Sequence, residues 1–349
     1  MRALVRYGPE PDSLRVQDMP EPQARPGWVV LRVAACGICG SDVRVRAARL
    51  APDKAYPFAI GHEFAGTVVE VGDDAPGVRV GDRVATEPFA VWCGQCAMCR
   101  AGRVNNCRLH SDMGFGQQGG CAEFAAVPAR GLHPLPESVD VADAAILEPV
   151  AVAYNTLFAE STVRPGDFVA VLGCGPIGLL CASLALTAGA EVLLTGRTGN
   201  EVRLDAARAI GVHHVVDILS ADATARVREL TAPDGPDLVV DATGGTEAFA
   251  QAIEMSGMCG QITKVGWFHA PGDVDLNGLV AKNLRVHGVY GHTYPVWERS
   301  VRVLAAGRIP LDHIVTHRLP LDRWDEGFRL MAERKAVKAF VLPGATIGS

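Results

Sequence analysis

The sequence predicts two architectures in one chain: a β-rich part, then an α/β part organised as a doubly wound parallel sheet. Three observations carry this. Short β-type runs bounded by Gly, Pro or Asp fill about the first 150 of the 349 residues. From about Asp167, strand-like and helix-like runs alternate. Finally, Gly173-Cys174-Gly175-Pro176-Ile177-Gly178 stands where the first of those strands gives way to a helix.

In chain order, WVVLRVAACG, FAGTVVEVG and GDRVAT read as strands, rich in β-branched residues between turn formers. FVAVLG is then a strand and PIGLLCASLALTAG a helix; EVLLTG is a strand and NEVRLDAARAIG a helix. HHVVD, ADATARVREL, DLVVDATG, TEAFAQAIEMSG and GQITKVG continue the alternation. After LRVHGVYG come two helical runs, PVWERSVRVLAAG and DRWDEGFRLMAER, and the chain closes with KAFVLP. Residues 168–190 carry no charge over 23 positions, long enough on hydropathy alone to cross a bilayer. Their early Gly173, Gly175, Pro176 and Gly178 point instead to a buried parallel strand running into a buried helix.

Apolar residues make up 48% of the chain and charged ones 21%, as expected of a soluble globular protein with a large core. The net charge of -6 and pI near 5.9 argue against a nucleic-acid partner. Ten cysteines fall short of a disulfide scaffold, and MRALVRYGPEPDSL lacks the apolar core of a signal peptide. A reducing cytoplasm is the expected compartment.

Cys93, Cys96 and Cys99 follow a CxxCxxC spacing, and seven residues separate Cys99 from Cys107. Each two-residue gap lets the backbone turn back over an ion, so four thiolates can converge on one tetrahedral zinc. With four sulfur ligands no position stays open, which makes this a structural site.

The glycine run has the context of a dinucleotide fingerprint. Gly173 allows the tight turn, Gly175 lets a pyrophosphate approach, and Gly178 lets helix and strand pack closely. Pro176 and Ile177 open the helix whose amino end meets the phosphates. An acid at the end of the second strand would mark NAD, but that strand ends in Gly196-Arg197-Thr198. A 2′-phosphate suits Arg197 and Thr198, which favours NADP; Glu201 close by leaves NAD open, and Arg197 can equally be a solvated turn residue. Arg203 and Thr243 are further candidate cofactor contacts.

Cys39-Gly40-Ser41-Asp42, Gly61-His62-Glu63 and Glu148-Pro149 form no local metal motif, being about twenty and eighty residues apart. Read singly, Cys39 could be core, His62 a structural histidine, Glu63 a surface acid and Glu148 a helix cap. Together with the cysteine lobe and the dinucleotide unit, however, the chain resembles the zinc-dependent medium-chain dehydrogenase/reductase family. The nearest look is to its polyol (sorbitol and xylitol), threonine and sugar dehydrogenases. The resemblance runs through GICGSD, GHEFAGTVVEVG, GVRVGDRV, LEPVAVA and AVKAFVLP, over essentially the whole chain.

The resemblance implies a GroES-like catalytic domain over residues 1–153, completed by 291–349, around a Rossmann domain over 154–290, with the active site in the cleft between them. It implies a catalytic zinc on Cys39, His62 and Glu63, with Glu148 as fourth ligand or water partner. A zinc-bound alcohol would lose its proton towards Ser41 and its hydride to the nicotinamide, while Asp42 orients His62. A homodimer or homotetramer acting on a polyol, sugar, cyclitol or amino-polyol is the expected whole.

Two departures stand out. Arg44 takes the place of a histidine that relays the proton in many relatives, and a guanidinium is no base at neutral pH. Gly288-Val289-Tyr290-Gly291-His292 stands where sorbitol dehydrogenases tend to carry GVFR, so sorbitol itself is the less expected substrate. Val45, Phe89 and Phe115 fall at pocket-lining positions of the family. The competing readings are a zinc-independent quinone or enone reductase, which would lack the catalytic metal ligands, and a non-catalytic NADP-binding protein.

Overall fold

The computed structural model describes residues 1–50, 56–268 and 270–345. The chain forms two compact units, one of Met1–Glu148, His292–Ala306 and Val315–Ser349, the other of Pro149–Gly291 and Gly307–Ile314.

The first unit is built on the ten-residue strand Trp28–Gly37, whose apolar and β-branched residues are mostly buried. Along one edge it pairs antiparallel with Glu63–Val71, in a register that sets Gly37 opposite Glu63. Along the other edge it meets Phe124–Pro128 at its start and Lys338–Leu342 at its end, where Phe340 faces Gly37. Arg83–Thr86, Leu132–Pro134 and Val315–Pro320 complete this sheet. Its side chains close over a core that includes Leu31, Ile38, Phe58, Phe64, Phe328 and Val341. The register carries function, because it brings the ends of three strands distant in sequence to one place.

The second unit is a six-stranded sheet in the order His214–Asp217, Glu191–Gly196, Phe168–Leu172, Leu238–Asp241, Gln261–Lys264, Arg285–Gly288. Every pair in it is parallel. Strands of a parallel sheet covered on both faces read as continuous apolar runs, and all five residues of Phe168–Leu172 are buried. The order reverses beside that strand, so its carboxyl end is the switch point at which such sheets take nucleotides. Residues 168–190 thus divide into that strand and the helix Pro176–Thr187. No helix among the described residues is long and apolar enough to cross a membrane.

Candidate active site and metal centres

Cys93, Cys96, Cys99 and Cys107 gather around the short helix Ala97–Arg100, with Cys96 at its amino cap accepting from the Cys99 N–H. The sulfur pairs Cys93–Cys99, Cys96–Cys99 and Cys93–Cys107 lie 3.8, 3.5 and 3.6 Å apart. A tetrahedron with metal–sulfur bonds of about 2.3 Å has edges of about 3.8 Å, so the cradle has the size zinc requires. Backbone N–H groups of Gln95 and Cys96 pull the Cys93 thiol down to about 6, while desolvation and the neighbouring thiols push Cys99 up to about 12. Four crowded thiols cannot all ionise without a cation among them.

A second group of donors is assembled by the strand register. Cys39 follows Trp28–Gly37 and caps the helix Gly40–Arg46; its N–H donates to Asp42 Oδ2 at 2.9 Å. The other Asp42 oxygen lies 3.7 Å from His62 Nδ1, so one buried carboxylate steadies both the helix start and the imidazole. Gly61 precedes His62 with φ +93, and a Cβ there would fall 2.5 Å from Cys36 Sγ and 2.8 Å from Cys121 Sγ. Only glycine passes those two buried thiols and delivers His62 to the site.

Ligand atoms of Cys39, His62 and Glu63 lie within 4.8 Å of one another. Ser41 Oγ and His62 Nδ1 are buried without a hydrogen bond among the described residues, whereas Glu63 Oε2 is met by the Lys338 ammonium. Such orphaned atoms are costly unless an ion or ligand meets them, and thiolate, imidazole and carboxylate are zinc donors that leave a fourth position open. The residues present therefore fit a catalytic zinc. Glu63 has a protein partner as well: Lys338 Nζ donates to Oε1 at 2.6 Å and lies 2.5 Å from Oε2. Burial opposes the charge on Lys338, but Glu63 and Cys39 outweigh it and hold the ammonium above the usual lysine value.

Glu148 falls outside that three-residue donor group. It is buried and faces His292, with Oε1 3.5 Å from Nε2. Burial would raise its pKa, but the hydrogen bond from His292 and the charge of His62 hold the carboxyl below its ordinary value. Of the three candidate pocket residues, Phe115 packs 5.3 Å from the His62 ring and Phe89 5.3 Å from the His292 ring. Val45 is 1% exposed on the helix that follows Cys39.

In the second unit, Gly173 takes φ +105, and a Cβ on Gly178 would sit 1.9 Å from Gly173 O, a distance only glycine permits. A Cβ on Gly175, the amino cap of Pro176–Thr187, would meet nothing within 4 Å. That opening, at a helix amino end, fits a pyrophosphate. Thr243 lies against Gly173, its hydroxyl donating to Asp241 at 2.7 Å. Beyond Gly196, Arg197 is exposed, whereas Thr198 is committed: its N–H and its hydroxyl both donate to Asp217. Glu201 accepts from the Gly199 N–H at 2.8 Å. Arg203, on the helix Glu201–Ala209, acts electrostatically on the Cys174 thiol within the glycine loop.

Residues 25–137 match the model of the alcohol dehydrogenase GroES-like domain, and residues 176–306 that of the zinc-binding dehydrogenase domain. A sorbitol dehydrogenase of Halalkalibacterium halodurans is 32% identical, covering 98% of this chain and 99% of that protein. The chain belongs to the zinc-type medium-chain alcohol dehydrogenase family. Among solved structures, the 2R,3R-butanediol dehydrogenase of Bacillus subtilis superposes with a TM-score of 0.88 at 30% identity, over 98% of this chain and 99% of that one. A zinc-binding dehydrogenase from Sinorhizobium meliloti, solved with NADP, also reaches 0.88 at 28% identity, over 98% and 99%. This dehydrogenase is thus a GroES-like and Rossmann-type α/β protein, and a zinc-type alcohol oxidoreductase using a nicotinamide cofactor.

Sequence reasoning missed two residues of the dehydrogenase's site and the pairing of a third. Lys338 carried a signal, a lone cation in the otherwise apolar AVKAFVLP. Asp217, closing HHVVD, gave only the weaker hint of an acid at a strand's carboxyl end. His292 was noted as a departure, yet its partner Glu148 could not be inferred, because the pair joins segments far apart in the chain.

Proposed function

We propose that this dehydrogenase interconverts a secondary hydroxyl and a ketone on a polyol, sugar, cyclitol or amino-polyol. NADP is the favoured cofactor, and each subunit holds two zinc ions. The observation that carries the reading is the convergence of Cys39, His62 and Glu63, in a chain that also carries the open glycine loop at the start of Pro176–Thr187. Cys39, His62 and Glu63 hold the catalytic ion, and Cys93, Cys96, Cys99 and Cys107 the structural one. When bound, the zinc lowers the pKa of the substrate hydroxyl and the nicotinamide takes up the hydride.

The protein's own groups do the rest. Ser41 Oγ, buried and without a hydrogen bond among the described residues, accepts the hydroxyl proton as it passes its own to water or to a cofactor ribose hydroxyl. Asp42 keeps His62 oriented, and Glu148 stays a carboxylate beside them under the hold of His292. Arg44, on the helix Gly40–Arg46, does not take the proton onward, since a guanidinium keeps its own.

NADP is favoured because Arg197 is exposed at the end of Glu191–Gly196, and because the Sinorhizobium relative binds NADP. Ten free thiols suit a cytoplasmic protein. The edge strand Arg285–Gly288, exposed at all four residues, supports a homodimer or homotetramer. An initial-rate screen of polyols, sugars, amino-polyols and threonine with NAD and NADP side by side tests the reading. Turnover of secondary alcohols that vanishes when the open metal site is emptied is the expected result. Reduction of quinones or enones that persists without that metal would overturn it.

A further inference from the structure

We propose that Lys264 is a positioning residue for the dinucleotide: its ammonium fixes Thr243 against the glycine loop, beside the half of the cofactor that NAD and NADP share. The inference rests on the proposed function and adds to it a residue that lies outside the glycine run.

Sheet order places Thr243. The glycine loop follows Phe168–Leu172, which has Glu191–Gly196 on one side and Leu238–Asp241 on the other. The first neighbour leads into Arg197; the second, after Ala242, leads into Thr243. A dinucleotide laid across the switch point with its adenosine at Arg197 therefore carries its nicotinamide half towards Thr243. Thr243 already packs on that loop: a Cβ on Gly173 would fall 2.9 Å from Thr243 Cγ2.

The N–H, the hydroxyl and the carbonyl of Thr243 are all held. The N–H and the hydroxyl donate to Asp241 Oδ1 at 2.9 and 2.7 Å. The carbonyl accepts from Lys264 Nζ at 2.7 Å, and the same ammonium lies 2.8 Å from Asp241 Oδ2. From the end of the neighbouring strand Gln261–Lys264, Lys264 thus closes Asp241 and Thr243 into one ring of contacts. Gly266 lets the chain beyond that strand approach the same carbonyl, since a Cβ there would sit 2.0 Å from Thr243 O. The ring of Phe268 lies 4.4 Å from the ammonium on its other side. All of these residues belong to one unit.

As a mere fastener between strands the pair has no advantage. Asp241 is 0% exposed and the Lys264 side chain 14%. Two charges so far out of water stabilise a fold no better than apolar side chains of similar volume. What the ion pair supplies instead is direction, because donors and acceptors on three sides leave Thr243 one orientation. A surface fixed before its ligand arrives loses less freedom on binding. Arg197 is assigned to the 2′-phosphate that NADP alone carries, whereas Lys264 acts on both coenzymes alike.

The test titrates NAD and NADP separately into the zinc-loaded, full-length dehydrogenase by calorimetry. Lys264→Met should raise both dissociation constants about tenfold and by similar factors, as loss of a preorganising charged contact does. In turnover the loss should fall on KM for the coenzyme more than on kcat. Lys264→Arg keeps the charge and the donors and should recover most of it. Thr243→Ala should weaken both coenzymes too, and adding Lys264→Met to it should cost little more, because the lysine works through that residue. Should Lys264→Met strand Asp241 and fail to fold, Lys264→Gln offers a neutral donor and should show a smaller rise in both constants. Unchanged affinities in Lys264→Met, or in Lys264→Gln where it stands in, overturn the proposal even if the variant melts earlier. Additive losses in the double variant, or a loss confined to NADP, overturn it as well. A wild type that binds coenzyme yet oxidises no secondary alcohol would defeat the functional reading while leaving the Lys264 result standing.

Discussion

Lys338 reaches Glu63 across the strand that lies between them: the ammonium is 2.6 Å from one carboxylate oxygen and 2.5 Å from the other, with both residues about 1% exposed. Gly37 on the intervening strand makes room, since a Cβ there would sit 2.2 Å from Glu63 Oε2 and 3.2 Å from Lys338 Cε. A carboxylate that enters the core already paired avoids most of its desolvation cost before a metal binds.

Lys338→Met should therefore destabilise the metal-free protein by about 3–5 kcal/mol, measured by urea denaturation, because it strands a buried carboxylate. The sign of the pH dependence follows from the raised pKa of Lys338. Its contribution is complete below the unfolded lysine value and disappears only as pH rises through the folded one. The stability gap between wild type and variant should stay level between about pH 6 and 9 and close at more alkaline pH. A gap that closes near neutrality would mean the pair is not ionic.

Metal analysis should separate the two sites. Cys39→Ser should lose turnover and one equivalent of zinc while keeping its circular dichroism, because Cys39 belongs to the donor group with an open position. Cys96→Ser should lose the other equivalent and lower the thermal midpoint, since Cys96 also caps Ala97–Arg100. Undiminished turnover in the first variant would reject Cys39 as a ligand.

For the cofactor, Arg197→Ala should raise KM for NADP about tenfold or more and leave NAD nearly unchanged, as removal of a charge-assisted phosphate contact does. Equal effects on the two cofactors would show that Arg197 touches no phosphate. A tenfold preference of the wild type for NAD would sink the assignment outright.

Two alanine substitutions in the glycine loop should part company. At Gly178 the new methyl meets the Gly173 carbonyl, so Gly178→Ala should cost about 1–3 kcal/mol of stability and weaken both cofactors through misplacement of the helix. At Gly175 the methyl meets no protein atom and φ is -73, so Gly175→Ala should keep its stability and still lose dinucleotide affinity. Isothermal titration beside thermal melts distinguishes the two.

Much of the fold and of the site is legible in the sequence alone. The cysteine lobe and the glycine loop are legible because their groups act over spans of fifteen residues or fewer, so spacing is nearly geometry. The alternating run from Phe168 to Lys264 is legible because its two central strands, Phe168–Leu172 and Leu238–Asp241, are buried whole and turn residues punctuate the helices. Lys338 was not, because its partner lies 275 residues away and only strand register brings them together. Nor was the commitment of Thr198, which depends on Gly196 pairing with Asp217 in the adjacent strand. Long-range pairing is decided by the packing of whole sheets, on which local pattern is silent.

Asp217 clasps Thr198 by both its backbone and its hydroxyl, and Glu201 secures the next residue, so the turn after Glu191–Gly196 has its shape before any adenosine arrives. A protein engineer wishing to retune coenzyme choice could exchange Arg197 alone, with the surrounding loop serving as a ready mould. Replacing Asp217 in the same campaign would instead melt the mould, and both coenzymes would suffer together.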